Sequence, residues 1–333
     1  MRYVKQVNNL QEKLMITDAM AAAKKEIDAA LSLKVPGLGE MTSYLAASRG
    51  KGLRALLLLT AASDAEGNIP ADAAKAAAAL ELMHMATLVH DDVIDNADIR
   101  RGMPALHQKF GTRNAVICGD YLLSQSMLMC ANLDVSHLND SEDHFTPMRR
   151  ISKALSAVCR GEYKQHLNLG NFDMNIFTYL KIVSGKTAAL FYVSAYIGAT
   201  LAGEPAKIAQ DMGHFGRRLG MVFQILDDCK DYEWTQDQAL KPVGNDIKSG
   251  VITLPLIFAM RKNPELRKLA KEAMMTKRDT DDFIQSVRDT GGVSEARALA
   301  EQYAVKAVQV LKDVSPGKRE ALLKILYKSK GEV

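Results

Sequence analysis

The chain has 333 residues, 47% of them apolar, 6% aromatic and 25% charged, with a formal net charge of +4. That balance excludes a disordered chain, and so small a charge with no Lys/Arg block argues against a nucleic-acid binder. The four cysteines, Cys118, Cys130, Cys159 and Cys229, show no Cys-x-x-Cys spacing, so they read as reduced thiols rather than zinc ligands or redox pairs. In chain order, Met1-Arg2-Tyr3-Val4-Lys5-Gln6 lacks the apolar centre of a signal peptide. The greasiest run, Ala55 to Leu59, is too short to be a transmembrane segment. A cytoplasmic protein is the expectation.

Turn signals fall at Val35-Pro36-Gly37, Gly67-Asn68-Ile69-Pro70, Gly203-Glu204-Pro205 and Lys262-Asn263-Pro264. Between them, residues 106–146, 148–204, 206–241 and 265–315 are free of proline. Apolar residues recur there at three- and four-residue spacing among Ala, Leu, Met, Lys and Glu, which predicts helix after helix. Residues 73–89 and 187–201 are apolar around most of the helical circumference and are expected at the centre of a bundle. No linker or low-complexity segment interrupts the pattern. The prediction is one all-α domain spanning residues 1–333.

One internal echo is chemical. Asp91-Asp92-Val93-Ile94-Asp95 and Asp227-Asp228-Cys229-Lys230-Asp231 are both DDxxD. On a helix, residues four apart stand above one another, so each cluster crowds carboxylates onto one rim. Such crowding is unfavourable without a counter-cation, and oxygen-only ligands suit magnesium shared with substrate phosphates. A single cluster is usually a solvated acidic face. Aspartate is roughly seven per cent of the chain, so two clusters by chance is about a one-per-cent event. Each also follows a strongly apolar stretch, Met85 to Val89 and Met221 to Leu226, which points to a charged mouth over an apolar cavity.

Basic residues answer the acids. Arg100 and Arg101 follow the first cluster, and Ser48-Arg49-Gly50-Lys51-Gly52-Leu53-Arg54 sets Lys51 and Arg54 before a long apolar helix. Glycines there free backbone N–H groups, and a helix N-terminus favours anions. His84, two turns ahead of Asp91, is a candidate phosphate donor, whereas His90 reads as structural.

These motifs, in this order, resemble the trans-isoprenyl diphosphate synthases, the polyprenyl synthetase family. His84 to Arg101, reading HMATLVHDDVIDNADIRR, is similar to the family's first Asp-rich region. Gly161-Glu162-Tyr163-Lys164-Gln165 and Gly185-Lys186-Thr187-Ala188 resemble its middle motifs. Phe223 to Asp231, followed by Lys241-Pro242-Val243-Gly244-Asn245-Asp246, resembles its second region. The resemblance implies the all-α isoprenoid synthase bundle around a central apolar cavity. It implies Asp91, Asp95 and Asp227 as ligands of three magnesium ions, with manganese able to substitute. Asp92, Asp228 and Asp231 would orient ligands or metal-bound waters. Arg100, Lys186, Thr187, Gln224 and Lys241 would contact the allylic diphosphate, and Lys51, Arg54, His84 and Arg101 the isopentenyl diphosphate. Two departures stand out: the usual Gly-Gly-Lys-Arg is Arg49-Gly50-Lys51-Gly52, and Val251 replaces a lysine common in relatives.

In the family, short-chain enzymes often carry an aromatic residue five positions before the first aspartate; here it is Ala86, beside Thr87. The resemblance therefore implies an open tunnel wall and a long polyprenyl product, with Met83 lining or flooring the tunnel. A short-chain synthase is the alternative. A class I terpene cyclase is disfavoured by the second intact DDxxD and the Lys51/Arg54 site. A homodimer is implied, a small partner subunit stays open, and so does peripheral membrane contact for product release.

Overall fold

The computed structural model describes residues 13–48, 50–134, 146–233, 244–276 and 281–331. Where they are described, the proline-free stretches are largely helical. The N-terminal part holds α1 (Ile16–Leu31), α2 (Leu38–Ala47), α3 (Leu53–Ala62) and α4 (Ala71–Ile94). Then come α5 (Leu106–Phe110), α6 (Thr112–Ala131), α7 (Pro147–His166), α8 (Ile176–Lys186), α9 (Ala188–Leu201) and α10 (Ala206–Glu233). The C-terminal part comprises α11 (Asn245–Lys248), α12 (Leu254–Lys262), α13 (Leu266–Thr276), α14 (Asp281–Asp289), α15 (Gly292–Val310) and α16 (Pro316–Lys330). Two short ladders complete the described residues: β1 (Lys13–Leu14) with β2 (Ile69–Pro70), and β3 (Ile99–Arg100) with β4 (Met103–Pro104), both antiparallel.

The two all-round apolar segments are the central helices. Nearly every residue of α9 is buried, and α4 is buried along most of its alanine-rich first half, Lys75 excepted. Around them, one part of the core gathers α8, α9, α10, α12 and α15, a second gathers α3, α4, α7 and α9, and a third fills the space between α4, α1, α2 and α6. Helix starts follow local chemistry. The Thr146 hydroxyl accepts from the Arg149 N–H at 3.3 Å ahead of Pro147, and the Asn175 side chain accepts from the Thr178 N–H at 2.9 Å. The C-terminal helix is tied back by Lys318, only 3% exposed, which pairs with Glu204 in the turn between α9 and α10.

Close approach of α3 to α9 needs a missing side chain. A Cβ on Gly198 would lie 2.1 Å from the Leu58 carbonyl oxygen. Gly198→Ala is therefore expected to destabilise the fold by about 1–3 kcal/mol through overpacking, read as a lowered denaturation midpoint with unchanged slope.

No single described helix is long and apolar enough to cross a membrane. α8 and α9 qualify only as a pair, and they meet at 45°. That corner is where Lys186 and Thr187 sit.

Candidate active site

Both acidic clusters lie in the closing turns of long helices. Asp91 and Asp92 end α4, with Asp95 as its C-cap, and Asp227, Asp228 and Asp231 lie near the end of α10. A helix C-terminus carries partial negative charge, so carboxylates there are electrostatically misplaced until something positive arrives. Within each cluster the second aspartate is anchored to the protein. Asp92, 4% exposed, accepts from Arg100 Nε at 2.9 and 3.0 Å and also from Arg100 Nη2. Asp228, 7% exposed, accepts from the Tyr179 hydroxyl at 2.5 Å and from Gln224 Nε2 at 2.8 Å. Gln224 Oε1 in turn accepts from the Thr187 hydroxyl at 2.8 Å.

In the first cluster, the first and last aspartates are left for other partners. The side chains of Asp91 and Asp95 accept no hydrogen bond from the described residues. Burial, with Glu162 and Asp95 adding repulsion against the pull of Lys186 and Arg100, pushes the Asp91 carboxyl up to about 7. The Asp95 carboxyl shifts in the same direction, chiefly by burial. Asp227 is exposed beside Lys230, whose Nζ lies 3.3 Å from its Oδ1, and Asp231 accepts the Asp246 backbone N–H at 3.2 Å.

Lys186 stands beside Glu162, Asp91 and Asp95. Its Nζ lies 3.0 Å from Glu162 Oε1 and 2.8 Å from Oε2. Burial lowers its pKa, but Glu162, Asp91 and Asp95 outweigh that and hold it above the ordinary lysine value. Contact between α7 and α8 is close because a Cβ on Gly161 would meet the Lys186 backbone nitrogen at 2.3 Å. The glycine in the first middle motif thus sets Glu162 against Lys186.

The second basic group forms around the start of α3. Gly52 caps that helix in the left-handed region at φ 62°, a conformation glycine adopts without strain. Its N-terminus is closed from α4, because Glu81 Oε1 accepts the Ala55 N–H at 3.0 Å. Arg54 Nη1 contacts His84 Nε2 at 2.9 Å, and its guanidinium lies 4.7 Å from the Phe191 ring centre. Burial lowers Arg54 to about 10, partly offset by Glu81, so it remains charged. A charged arginine can only donate, so His84 accepts through Nε2 and carries its proton on Nδ1. That proton is what His84 can offer a phosphate.

Arg100 and Arg101 belong to the β3–β4 hairpin. Arg101 and Gly102, at φ 52° and 75°, form its two-residue turn, the pairing expected of a type I′ geometry. Arg101 reaches back to donate from Nη1 to the Ser48 carbonyl at 2.7 Å, and a Cβ on Gly50 would lie 2.5 Å from that guanidinium. The hairpin thereby folds over the Gly50-Lys51-Gly52 turn. Lys51 is exposed there, and Lys241 lies outside the described residues.

Burial first, then Arg54, Arg101 and Arg100, holds His84 well below the ordinary histidine value. The folded state therefore resists protonating it, and stability falls as pH drops below about 6.5. His84→Gln, which keeps an acceptor for Arg54, is expected to flatten the loss of melting temperature between about pH 7 and 5. Melting curves across that range check it.

The chain as a whole is similar to known proteins. The polyprenyl synthetase family profile matches residues 35–290. The chain belongs to the polyprenyl synthetase family. It is 34% identical to component 2 of heptaprenyl diphosphate synthase from Geobacillus stearothermophilus, over 93% of this chain and 94% of that one. Among solved structures it resembles heptaprenyl diphosphate synthase from Staphylococcus aureus, with a TM-score of 0.83, 30% identity, and coverage of 96% and 98%. It also resembles geranylgeranyl pyrophosphate synthase from Lactobacillus brevis, with a TM-score of 0.83, 28% identity, and coverage of 94% and 96%. As a polyprenyl synthetase the chain is a prenyl-transferring enzyme with the all-α fold expected of it, in a family that depends on a divalent metal.

The donor set fits such a metal. Among the described residues no three His, Cys, Asp or Glu side chains converge on one point. What the clusters offer instead are Asp91 and Asp95, which accept no side-chain hydrogen bond from the described residues, and the exposed Asp227. That suits a hard cation which keeps waters and completes its shell with substrate phosphate oxygens. Three further residues contact members of this candidate site without having been singled out in the sequence. Glu162 lay inside a recognised motif and could have been paired with Lys186 by charge. Tyr179 and Glu81 gave no local signal, because their partners are 49 and 26 residues away.

Proposed function

We propose that this enzyme condenses an allylic diphosphate such as farnesyl diphosphate with successive isopentenyl diphosphates to a long all-trans polyprenyl diphosphate. The observation that carries the reading is the pairing of two sites. One is acidic, formed by the two clusters with Lys186, and the other basic, formed by Lys51, Arg54, His84 and Arg101. Magnesium, three ions with manganese able to replace them, would be held by Asp91, Asp95 and Asp227 and would neutralise the leaving diphosphate. Lys186 adds fixed positive charge where the diphosphate departs, and Arg100 reaches it only from its seat on Asp92. Arg54, Lys51, Arg101 and the Nδ1–H of His84 hold the second diphosphate, setting the isopentenyl double bond beside the allylic carbon. The allylic C–O bond breaks, the double bond attacks the cation, and a proton passes to the departing diphosphate.

Long products are supported by relatives named as heptaprenyl and solanesyl diphosphate synthases. The geranylgeranyl pyrophosphate synthase likeness keeps the short-chain reading alive. Residues 1–333 are read as one domain, resident in the cytoplasm, where the four unpaired cysteines would stay reduced. A second copy of the chain is the partner best matched by the exposed face of α6, where Ile117 and Leu128 are 50% and 53% exposed. The name component 2 of the Geobacillus relative makes a small partner subunit the competing arrangement.

The test incubates the purified chain with magnesium, farnesyl diphosphate and labelled isopentenyl diphosphate, and sizes the dephosphorylated products. A ladder ending at a long polyprenol supports the reading. Arrest at geranylgeraniol would leave the reaction standing and overturn the product length. No incorporation by the chain alone points to the partner subunit, and a released hydrocarbon to a cyclase.

A further inference from the structure

α8 touches both halves of the acidic site. Its first turn carries Tyr179, whose hydroxyl donates to Asp228 Oδ2 at 2.5 Å. Two turns on, Lys186 pairs with Glu162 and faces Asp91 and Asp95. The next residue, Thr187, donates to Gln224 at 2.8 Å, and Gln224 donates to the other oxygen of Asp228 at 2.8 Å. Residues seven apart share a helix face about 10 Å along its axis. Tyr179 and Thr187 are therefore two rungs joining α8 to α10, with Lys186 held between them.

Tyr179 is 3% exposed, and Asp228 has both oxygens engaged. Core packing holds α10, and the Tyr179 and Gln224 bonds fix the direction of the Asp228 carboxylate on it. Asp227 is then left on the exposed flank and Asp231 one turn further on. Without the Tyr179 hydroxyl, one oxygen of Asp228 loses its donor, and that carboxylate is free to swing relative to its neighbours in the cluster.

We propose that Tyr179 is a positioning residue that registers the second aspartate cluster against Lys186, and through it against the first cluster. The inference rests on the proposed diphosphate site and adds a residue to its machinery. Tyr232 supplies an internal control. It is 1% exposed in the same core and in the same helix as the cluster, but its hydroxyl meets Thr253 Oγ1 at 3.2 Å and no carboxylate.

The test titrates magnesium with inorganic diphosphate into the full chain by calorimetry, for the unaltered protein, Tyr179→Phe and Tyr232→Phe, alongside melting temperatures. Tyr179→Phe is expected to weaken magnesium diphosphate binding about ten-fold, the scale of one hydrogen bond to a charged group. It should also raise KM for the allylic substrate while leaving KM for isopentenyl diphosphate unchanged. Tyr232→Phe should lower the melting temperature comparably and leave binding within about two-fold. Equal binding by the two variants, or binding by Tyr179→Phe within two-fold of the unaltered chain, would overturn the assignment of Tyr179 alone. Failure of the unaltered chain to bind magnesium diphosphate would overturn the diphosphate site and this inference with it.

Discussion

Asp91→Ala and Asp227→Ala are each expected to lower turnover by about a hundred- to a thousand-fold, the range seen when a fixed group that stabilises transition-state charge is removed. Folding should survive both changes, for a reason visible in the contacts. The Asp91 side chain holds no hydrogen bond among the described residues, and its carboxyl is pushed up to about 7 by burial and by repulsion from Glu162 and Asp95. Taking away a group that its surroundings penalise removes no support from the fold. Asp227 is exposed and, among the described residues, pairs with Lys230 of its own helix, an interaction of small value. Asp92→Ala should behave differently. It strands Arg100, which donates to both oxygens of Asp92, so stability is expected to fall by about 2 kcal/mol together with activity. Single-turnover rates and urea melts on the three variants separate the two behaviours. A variant of Asp91 that folds and keeps near-normal turnover would remove the first cluster from the reaction.

Ala86→Phe is expected to shorten the product, moving the end of the ladder from a long polyprenol towards geranylgeraniol. On α4, residues Thr87, Met83 and Ala86 fall on the same side as His90 and Ala79. That side is turned to α6, because Ser126 donates to the Ala79 carbonyl at 2.6 Å and a Cβ on Gly119 would lie 2.3 Å from the His90 ring. A chain growing away from Asp91 would pass between α4 and α6, with Thr87 first and Ala86 and Met83 deeper. Ala86 is 1% exposed and Met83 fully buried, so a phenyl ring at 86 enters a packed space where it has to block or displace. A cost of about 1–3 kcal/mol in stability should accompany the shorter product. Met83→Ala opens the same path one turn further down and is expected to lengthen the product. Product sizing by chromatography after dephosphorylation reads both changes. An unchanged ladder from folded Ala86→Phe enzyme would sink the path along this side of α4.

Several features were legible in the residues before any fold was known. Helical spacing between the turn signals marked out the long helices, and the all-round apolar character of residues 73–89 and 187–201 placed α4 and α9 at the centre. Two DDxxD clusters pointed to a cation, because like charges packed on one rim repel unless something positive lies between them. The family likeness supplied roles for Lys186, Arg54, His84 and the two arginines, and the comparison with known proteins bears out the family itself.

Which aspartates are already engaged was decided by tertiary structure. Arg100 reaches Asp92 because the Arg101–Gly102 turn folds a hairpin back over the end of α4. Asp228 is anchored because α8 packs along α10 and delivers Tyr179 from 49 residues away. Hydrogen bonds between elements depend on how helices cross and rotate, which local spacing does not encode. Local propensity and charge pattern thus determined where the helices run and which residues carry charge. The packing of α4, α8 and α10 decided which of those charges are anchored inward and which remain free to meet a cation and a diphosphate.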